Sequence, residues 1–264
     1  SAVPILSVAS HDTASAVAAI PVSDPGFAYI SSGTWSLLGA ELSTPLCEPG
    51  VMNANYTNEG GVGGSIRLLK NIMGLWIIQE CKREWDRKGE VVDFGELVKM
   101  AEQAPAFRSI IDVDDPRFLP TGDMLGRIQG YCQETNQPVP QTKGEFSRLI
   151  YESLALKYRL CVERLERDLL GHKVDVLHIV GGGSKNVMLN QFTANALRIP
   201  VIAGPSEGTV IGNLLMQAMA LGAFDSLASL RACVAASFPT ETFQPEGEEK
   251  AWDEAYARLL ALGK

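Results

Sequence analysis

The chain holds 264 residues, 46% of them hydrophobic and 20% charged, with a formal net charge of −8. Those figures suit a packed globule of one large domain or two small ones and exclude a disordered segment. The acid excess, without any Lys/Arg block, excludes a general nucleic-acid surface, which needs clustered cations. It leaves nucleotide binding open, because backbone amides and a metal offset phosphate charge. The five cysteines are scattered, odd in number and without a CxxC pair, so neither a disulfide framework nor a zinc site is expected. The least charged stretch, Gly208 to Phe224, is short for a membrane span and contains Asn213 and Gln217, so it reads as a buried helix. A cytoplasmic protein without nucleic-acid or membrane partners is expected.

In chain order, three short strands are expected at Val3–Val8, Phe27–Ser31 and Trp35–Glu41, separated by Pro25-Gly26 and Ser32-Gly33. A glycine-rich loop, Glu59 to Gly64, precedes a helical pattern from Ser65 to about Glu84. Asp93–Gln103 reads as a further helix, and a loop-rich region containing Asp112, Asp114 and Asp115 runs to Pro140. Those three acids miss the calcium-loop pattern, since Pro116 and Arg117 fall where a ligand and a glycine are needed, and they read as a solvated loop. Residues 143–170 form the clearest helix: Thr142 and Glu145 make a capping box, leucines recur along one side, and Gly171 closes the end. A strand at Val174–Val180, a helix capped by Ser184 and running to Leu197, a strand at Pro200–Ala203 and a helix at 207–221 follow. Strand–turn–helix repeated in this way implies an α/β fold, a parallel sheet covered by helices. The chain reads as a single domain with loop-rich insertions between about 44 and 140.

Three turns carry candidate chemistry. At His11-Asp12-Thr13 an apolar run meets a helix start. An acid there either faces a ligand cleft at the carboxyl end of a strand or caps the helix, and the helix start favours its negative charge in both cases. Ser31-Ser32-Gly33-Thr34-Trp35 is either a plain hairpin turn or a phosphate-holding one using its amides and the Thr34 hydroxyl. Gly181-Gly182-Gly183 follows an apolar strand and opens a helix, where a ligand can approach the backbone closely. This last turn matches neither GxxxxGK[ST] nor GxGxxG, so a Walker loop and a Rossmann dinucleotide site are disfavoured, and a generic tight turn remains open. His172 and His178 lack metal-ligand spacing, and His178 inside its apolar strand reads as a satisfied core histidine.

The segments HDTASAV (11–17), SSGTWSLLG (31–39), NEGGVGGSIRLLKNIMGLWIIQE (58–80), YCQETNQPVP (131–140) and HIVGGGSKNVMLNQFTANA (178–196) together resemble the carboxyl-terminal domain of the FGGY-type carbohydrate kinases, most closely those acting on L-rhamnulose. The resemblance implies an actin-like, ribonuclease-H-type fold and ATP-dependent phosphorylation of a sugar hydroxyl, with Mg²⁺ bridging the phosphates. It implies Asp12 as the base, His11, Thr13 and Asn71 beside the sugar, and Gly33, Thr34, Gln79, Gly181, Gly182 and Gly183 toward the nucleotide. No metal ligand is assigned. In a continuous helix, Asn71 and Gln79 would stand about 80° apart around the axis and border one cleft. Such kinases also have an amino-terminal domain with an Asp-Gly phosphate hairpin, which this sequence lacks. The expectation is an independently folding, catalytically incomplete half. L-fuculose or L-xylulose as the sugar, or a non-catalytic actin-like nucleotide-binding module, are the alternatives.

Overall fold

The computed structural model describes residues 5–9, 11–22 and 26–262, and its first regular element is a helix, α1 (Asp12–Ala18). The strand expected at Val3–Val8 does not form over its described part. Residues 5–9 have no regular structure and Ile5 is 99% exposed, because an apolar run without a neighbouring strand has nothing to pair with; Val3 and Pro4 lie outside the described residues. Strands β1 (Phe27–Ser32) and β2 (Trp35–Leu42) form the expected hairpin around Gly33-Thr34. A short helix, α2 (Pro49–Asn53), leads to β3 (Thr57–Gly60), so the glycine-rich segment is half strand and half a tight 3₁₀ turn at Val62–Gly64.

The expected helix from Ser65 to Glu84 is two elements, strand β4 (Ile66–Met73) and helix α3 (Trp76–Arg87). Most of β4 is buried, which removes the polar alternation of a half-exposed strand; such a run cannot be told from a buried helix by period. Gly74 at the junction marks the break. Helix α4 (Phe94–Gln103) starts at the Asp93 capping box, and α5 (Met124–Glu134) occupies what the sequence suggested was loop. Helix α6 (Lys143–Arg164) carries the Thr142–Glu145 box and runs into a π-helical turn, Leu165–Leu170, ended by Gly171 at φ 71°.

Strand β5 (Val176–Val180) is followed by a 3₁₀ turn at Gly182–Lys185, and helix α7 (Val187–Leu197) begins only after it. Its cap is therefore Asn186, whose Oδ1 accepts from Leu189 N, rather than Ser184. Strand β6 (Val201–Ala203), helix α8 (Gly208–Ala220), helix α9 (Leu227–Ser237), strand β7 (Glu241–Phe243) and helix α10 (Glu249–Leu262) complete the chain. The helix read as buried, α8, buries Gly208, Ile211 and Gly212, while Val210 and Leu214 are exposed. No helix of the described residues is long and apolar enough to cross a membrane.

The sheet has seven strands in the order β3-β4-β2-β1-β5-β6-β7. It is mixed rather than parallel: β1 pairs parallel with β5 and β5 with β6, whereas β1–β2 and β3–β4 are antiparallel hairpins and β7, returning after α8 and α9, pairs antiparallel with β6. Helices flank it, giving an α/β architecture.

The chain divides into two compact units, one comprising 1–71, 162–185 and 200–243 and the other 72–161, 186–199 and 244–264. The first carries the sheet. Ala16, Val17 and Ile20 of α1 pack on Phe27, Tyr29 and Val180, while Ala19 packs with Ile211, Leu230 and Val234. In the second, Lys157 is nearly buried and bonds Asp112 at 2.8 Å and Asp114 at 3.0 Å, while Asp114 accepts from Met73 N. Burial opposes its charge, but Asp114 and Asp112 outweigh that and hold the ammonium above its ordinary pKa. Two of the three acids expected in a solvated loop, Asp112 and Asp114, are thus a structural clamp, and Asp115 pairs with Arg117.

Candidate active site

Helix α1 exposes its first residue because everything after it is tied down. Thr13 through Ala18 are buried, whereas the Asp12 side chain is 73% exposed. Asp12 neither ends a strand nor caps the helix, although it does face a cleft. His11 is the cap, accepting from Thr13 N at 3.3 Å, and Asp12 is the first helical residue. Asp12 Oδ1 accepts from Thr13 N at 2.7 Å and lies 3.0 Å from His11 Nδ1. His11 Nδ1 thus faces an N–H and a carboxylate together.

Around this residue opens a cleft of about 660 Å³, lined entirely from the first unit. His11, Asp12 and Thr13 form one side. The β1–β2 hairpin contributes Ser31, Ser32, Gly33, Thr34, Trp35 and Leu37, β4 contributes Asn71, and Gly181 and Gly182 come from the end of β5. Register explains part of the gathering: Ser31 is opposite both Leu37 and Val180, and directly paired residues project from the same sheet face. That face is the one covered by α1.

The three glycines divide their work. Gly181 has φ 86°, and a Cβ there would stand 2.7 Å from Ser32 O. At Gly183 a Cβ would stand 2.0 Å from Ser32 Oγ, so this glycine is a packing contact with β1 and does not line the cleft. Gly182 differs: no atom lies within 4 Å of its missing Cβ, and it faces the cleft. None of the described residues requires a glycine at 182, so the empty volume is available to a ligand approaching the backbone.

Of the residues named from sequence, His11, Asp12, Thr13, Gly33, Thr34, Asn71, Gly181 and Gly182 meet in this cleft. Gln79 does not line it; it sits on α3 in the second unit, and the helical argument placing it beside Asn71 fails because Asn71 is on a strand. Sequence reasoning missed Ser206, Glu207 and Thr209, which close the cleft from the start of α8. Their signal was positional: they follow β6, the next parallel strand after β5, at whose carboxyl end ligands gather. The lining offers hydroxyls and amides, one histidine and two carboxylates, Asp12 and Glu207, but no Lys or Arg. Such a set suits holding phosphate oxygens through neutral donors beside a proton acceptor. Among the described residues no group of His, Cys, Asp or Glu is gathered as a metal cage.

The chain is 48% identical to a rhamnulokinase of Bacteroides thetaiotaomicron over 97% of its own length and 51% of the relative's. It is 47% identical to one of Enterococcus faecalis over 91% of this chain and 48% of that protein. The chain thus spans about half the length of the curated relatives it matches. Among solved structures it resembles xylulose kinase from Rhodospirillum rubrum (TM-score 0.66, 19% identity, 95% of this chain and 49% of that one). It also resembles Plasmodium falciparum glycerol kinase with ADP (TM-score 0.66, 17% identity, 94% and 50%). At those identities the likeness establishes the fold alone. Residues 28–221 match the model of the C-terminal domain, and the chain belongs to the FGGY family of carbohydrate kinases.

Proposed function

We propose that the full-length protein carrying this chain transfers the γ-phosphoryl group of ATP to L-rhamnulose, giving L-rhamnulose 1-phosphate, and that this chain supplies the base and a nucleotide-facing wall. The observation that carries the proposal is an exposed carboxylate, Asp12, opening into the same cleft as Gly182 and the Gly33-Thr34 turn. The choice of sugar follows the rhamnulokinases to which the chain is 47–48% identical.

Asp12 accepts the proton of the sugar hydroxyl while that oxygen forms its bond to the γ-phosphorus and the bond to the ADP oxygen breaks. The transition state is loose, so the proton need leave only late and an ordinary carboxylate suffices. Thr13 N donates to the Asp12 carboxylate, His11 stands 3.0 Å from it, and both, with Asn71, border the sugar. Thr34 and the Gly33, Gly181 and Gly182 backbone receive phosphate oxygens, and the open space at Gly182 admits the nucleotide. Gln79, outside this cleft, and Gly183, packed on Ser32, are retained at most as supports of the nucleotide side. Mg²⁺, held mainly by phosphate oxygens and waters, would offset charge that the cationless lining does not. The other wall of the site is assigned to an amino-terminal half, since the matched relatives are about twice as long. The free state of all five cysteines suits action in the reducing cytoplasm.

Asp12→Asn in the full-length protein is the test. Loss of a general base lowers kcat by about 10²–10⁴-fold. ATP affinity, read by calorimetry, should stay within about twofold because the base does not hold the nucleotide. Equal turnover by the variant would refute the assignment and favour a non-catalytic nucleotide-binding module.

A further inference from the structure

Asp12 sits on a helix of seven residues preceded by irregular backbone, an unpromising mount for a group that must meet a hydroxyl within a fraction of an ångström. Among the described residues its carboxylate is fixed by neighbours one residue away. What holds the mount is α8. Gly212 lies against α1 so closely that a Cβ would stand 1.8 Å from Ser15 O, and a Cβ on Gly208 would stand 3.7 Å from Ala16. At the cleft end of this contact a polar bond joins the two helix starts: Thr209 Oγ1 donates to the backbone carbonyl of Asp12 at 3.3 Å. Thr209 also lines the cleft.

We infer that Thr209 is a positioning residue for the proposed base: its hydroxyl, held in place by the glycine-mediated seat of α8 on α1, fixes the backbone from which the Asp12 carboxylate projects. The inference rests on the kinase reading for its catalytic consequence but not for its structural one. Misplacing a reacting group by about 1 Å costs up to roughly 10²-fold in rate. Loss of one of several restraints should cost less, about tenfold.

Two variants separate the hydroxyl from the packing: Thr209→Val keeps the shape and removes the donor, and Thr209→Ser keeps the donor. In the full-length protein, Thr209→Val should lower kcat about tenfold and leave KM for ATP within about twofold, and Thr209→Ser should recover kcat to within about twofold of the parent. In an Asp12→Asn background, Thr209→Val should have no further effect, since it acts through Asp12. An unchanged kcat in Thr209→Val, an equal loss in Thr209→Ser, or effects that multiply with Asp12→Asn would each overturn the inference. A second readout needs no turnover. In this chain, Thr209→Val should shift the Asp12 carbonyl-carbon and Thr13 amide resonances and lower the order parameter of Thr13. If the parent phosphorylates no ketose, the kinase reading fails, and unmoved resonances would still refute the positioning role while moved ones would support it.

Discussion

Replacing each of the three glycines at 181–183 by alanine separates what the fold needs from what a ligand needs. At Gly181 the left-handed φ of 86° costs a non-glycine residue about 1–2 kcal/mol. Its Cβ, 2.7 Å from Ser32 O, must also displace the β1 backbone, adding roughly 1–3 kcal/mol of overpacking. Gly181→Ala should therefore lose about 2–5 kcal/mol, which at about 2–4 °C per kcal/mol lowers the melting temperature by roughly 5–20 °C. Gly183→Ala meets the Ser32 side chain at 2.0 Å and its Cβ at 2.7 Å; a rotation of the hydroxyl relieves only the first, so the loss should be about 1–3 kcal/mol.

Gly182→Ala meets nothing within 4 Å and carries no left-handed φ. Its stability should be unchanged or raised by about 0.4–1 kcal/mol through the lower entropy of the unfolded chain. Nucleotide binding should respond in the opposite order, with Gly182→Ala weakening ADP binding at least about tenfold because the methyl group occupies the approach to the backbone. Melting followed by circular dichroism, and ADP titration of the full-length protein, provide the two axes. A Gly182→Ala protein that melts as early as Gly181→Ala, or that binds ADP as the parent does, would refute the reasoning.

Two buried titrations make opposite demands on acid stability. His178 is 2% exposed, edge-on to Phe27 at 5.7 Å; desolvation, with Arg231 nearby, pushes its pKa down to about 4, and its Nδ1 has no hydrogen-bond partner among the described residues, contrary to the satisfied histidine expected. The unfolded chain binds that proton first, so stability is lost as pH falls from about 6.5 through about 4, by up to about 3 kcal/mol; His178→Leu should remove this slope in urea titrations across that window. Glu152 is 1% exposed, and desolvation pushes it up to about 7 against the pull of Arg148 and Phe107 N. Here the folded state binds the proton more tightly, so stability falls as pH rises from about 4.5 to about 7, again by up to about 3 kcal/mol, and Glu152→Gln should flatten that fall.

Elements with local punctuation were legible in the sequence. The β1–β2 hairpin followed from Ser32-Gly33, α4 from the Asp93–Glu96 box and α6 from the Thr142–Glu145 box, each a signal confined to a few residues. What failed depended on tertiary surroundings. β4 was read as helix because its burial erases the alternation that marks a strand. α5 was hidden by Gly126 and Gly130, whose weak helix propensity the packed interior of its unit overrides. The same division holds at the cleft. His11-Asp12-Thr13, Gly33-Thr34 and Gly181-Gly182 carry their own signatures, whereas Ser206, Glu207 and Thr209 matter only because β6 lies parallel beside β5 and aims their turn at the same cleft.

The charge of that cleft shapes how the proposed chemistry must be divided. Its lining holds Asp12 and Glu207 but no Lys or Arg, and Lys185, the nearest cation to Glu207, stands 3.9 Å from it on an exposed edge. A phosphate charge 4 Å from one carboxylate is repelled by about 4 kcal/mol at an effective dielectric of 20. Neutral amides and hydroxyls from the hairpin and the glycine turn each return roughly 1.5–3 kcal/mol when they bond a charged oxygen, so a few of them balance the two carboxylates without leaving a surplus to hold a triphosphate. Tight nucleotide binding therefore needs positive charge from beyond this wall, a divalent cation on the phosphates together with groups on the facing half. On the proposed function, that near-balance is useful. With no surplus attraction in the wall itself, the approach of a γ-phosphoryl group to Asp12 would depend on the cation and the opposite half, tying the proposed phosphoryl transfer to the assembled site.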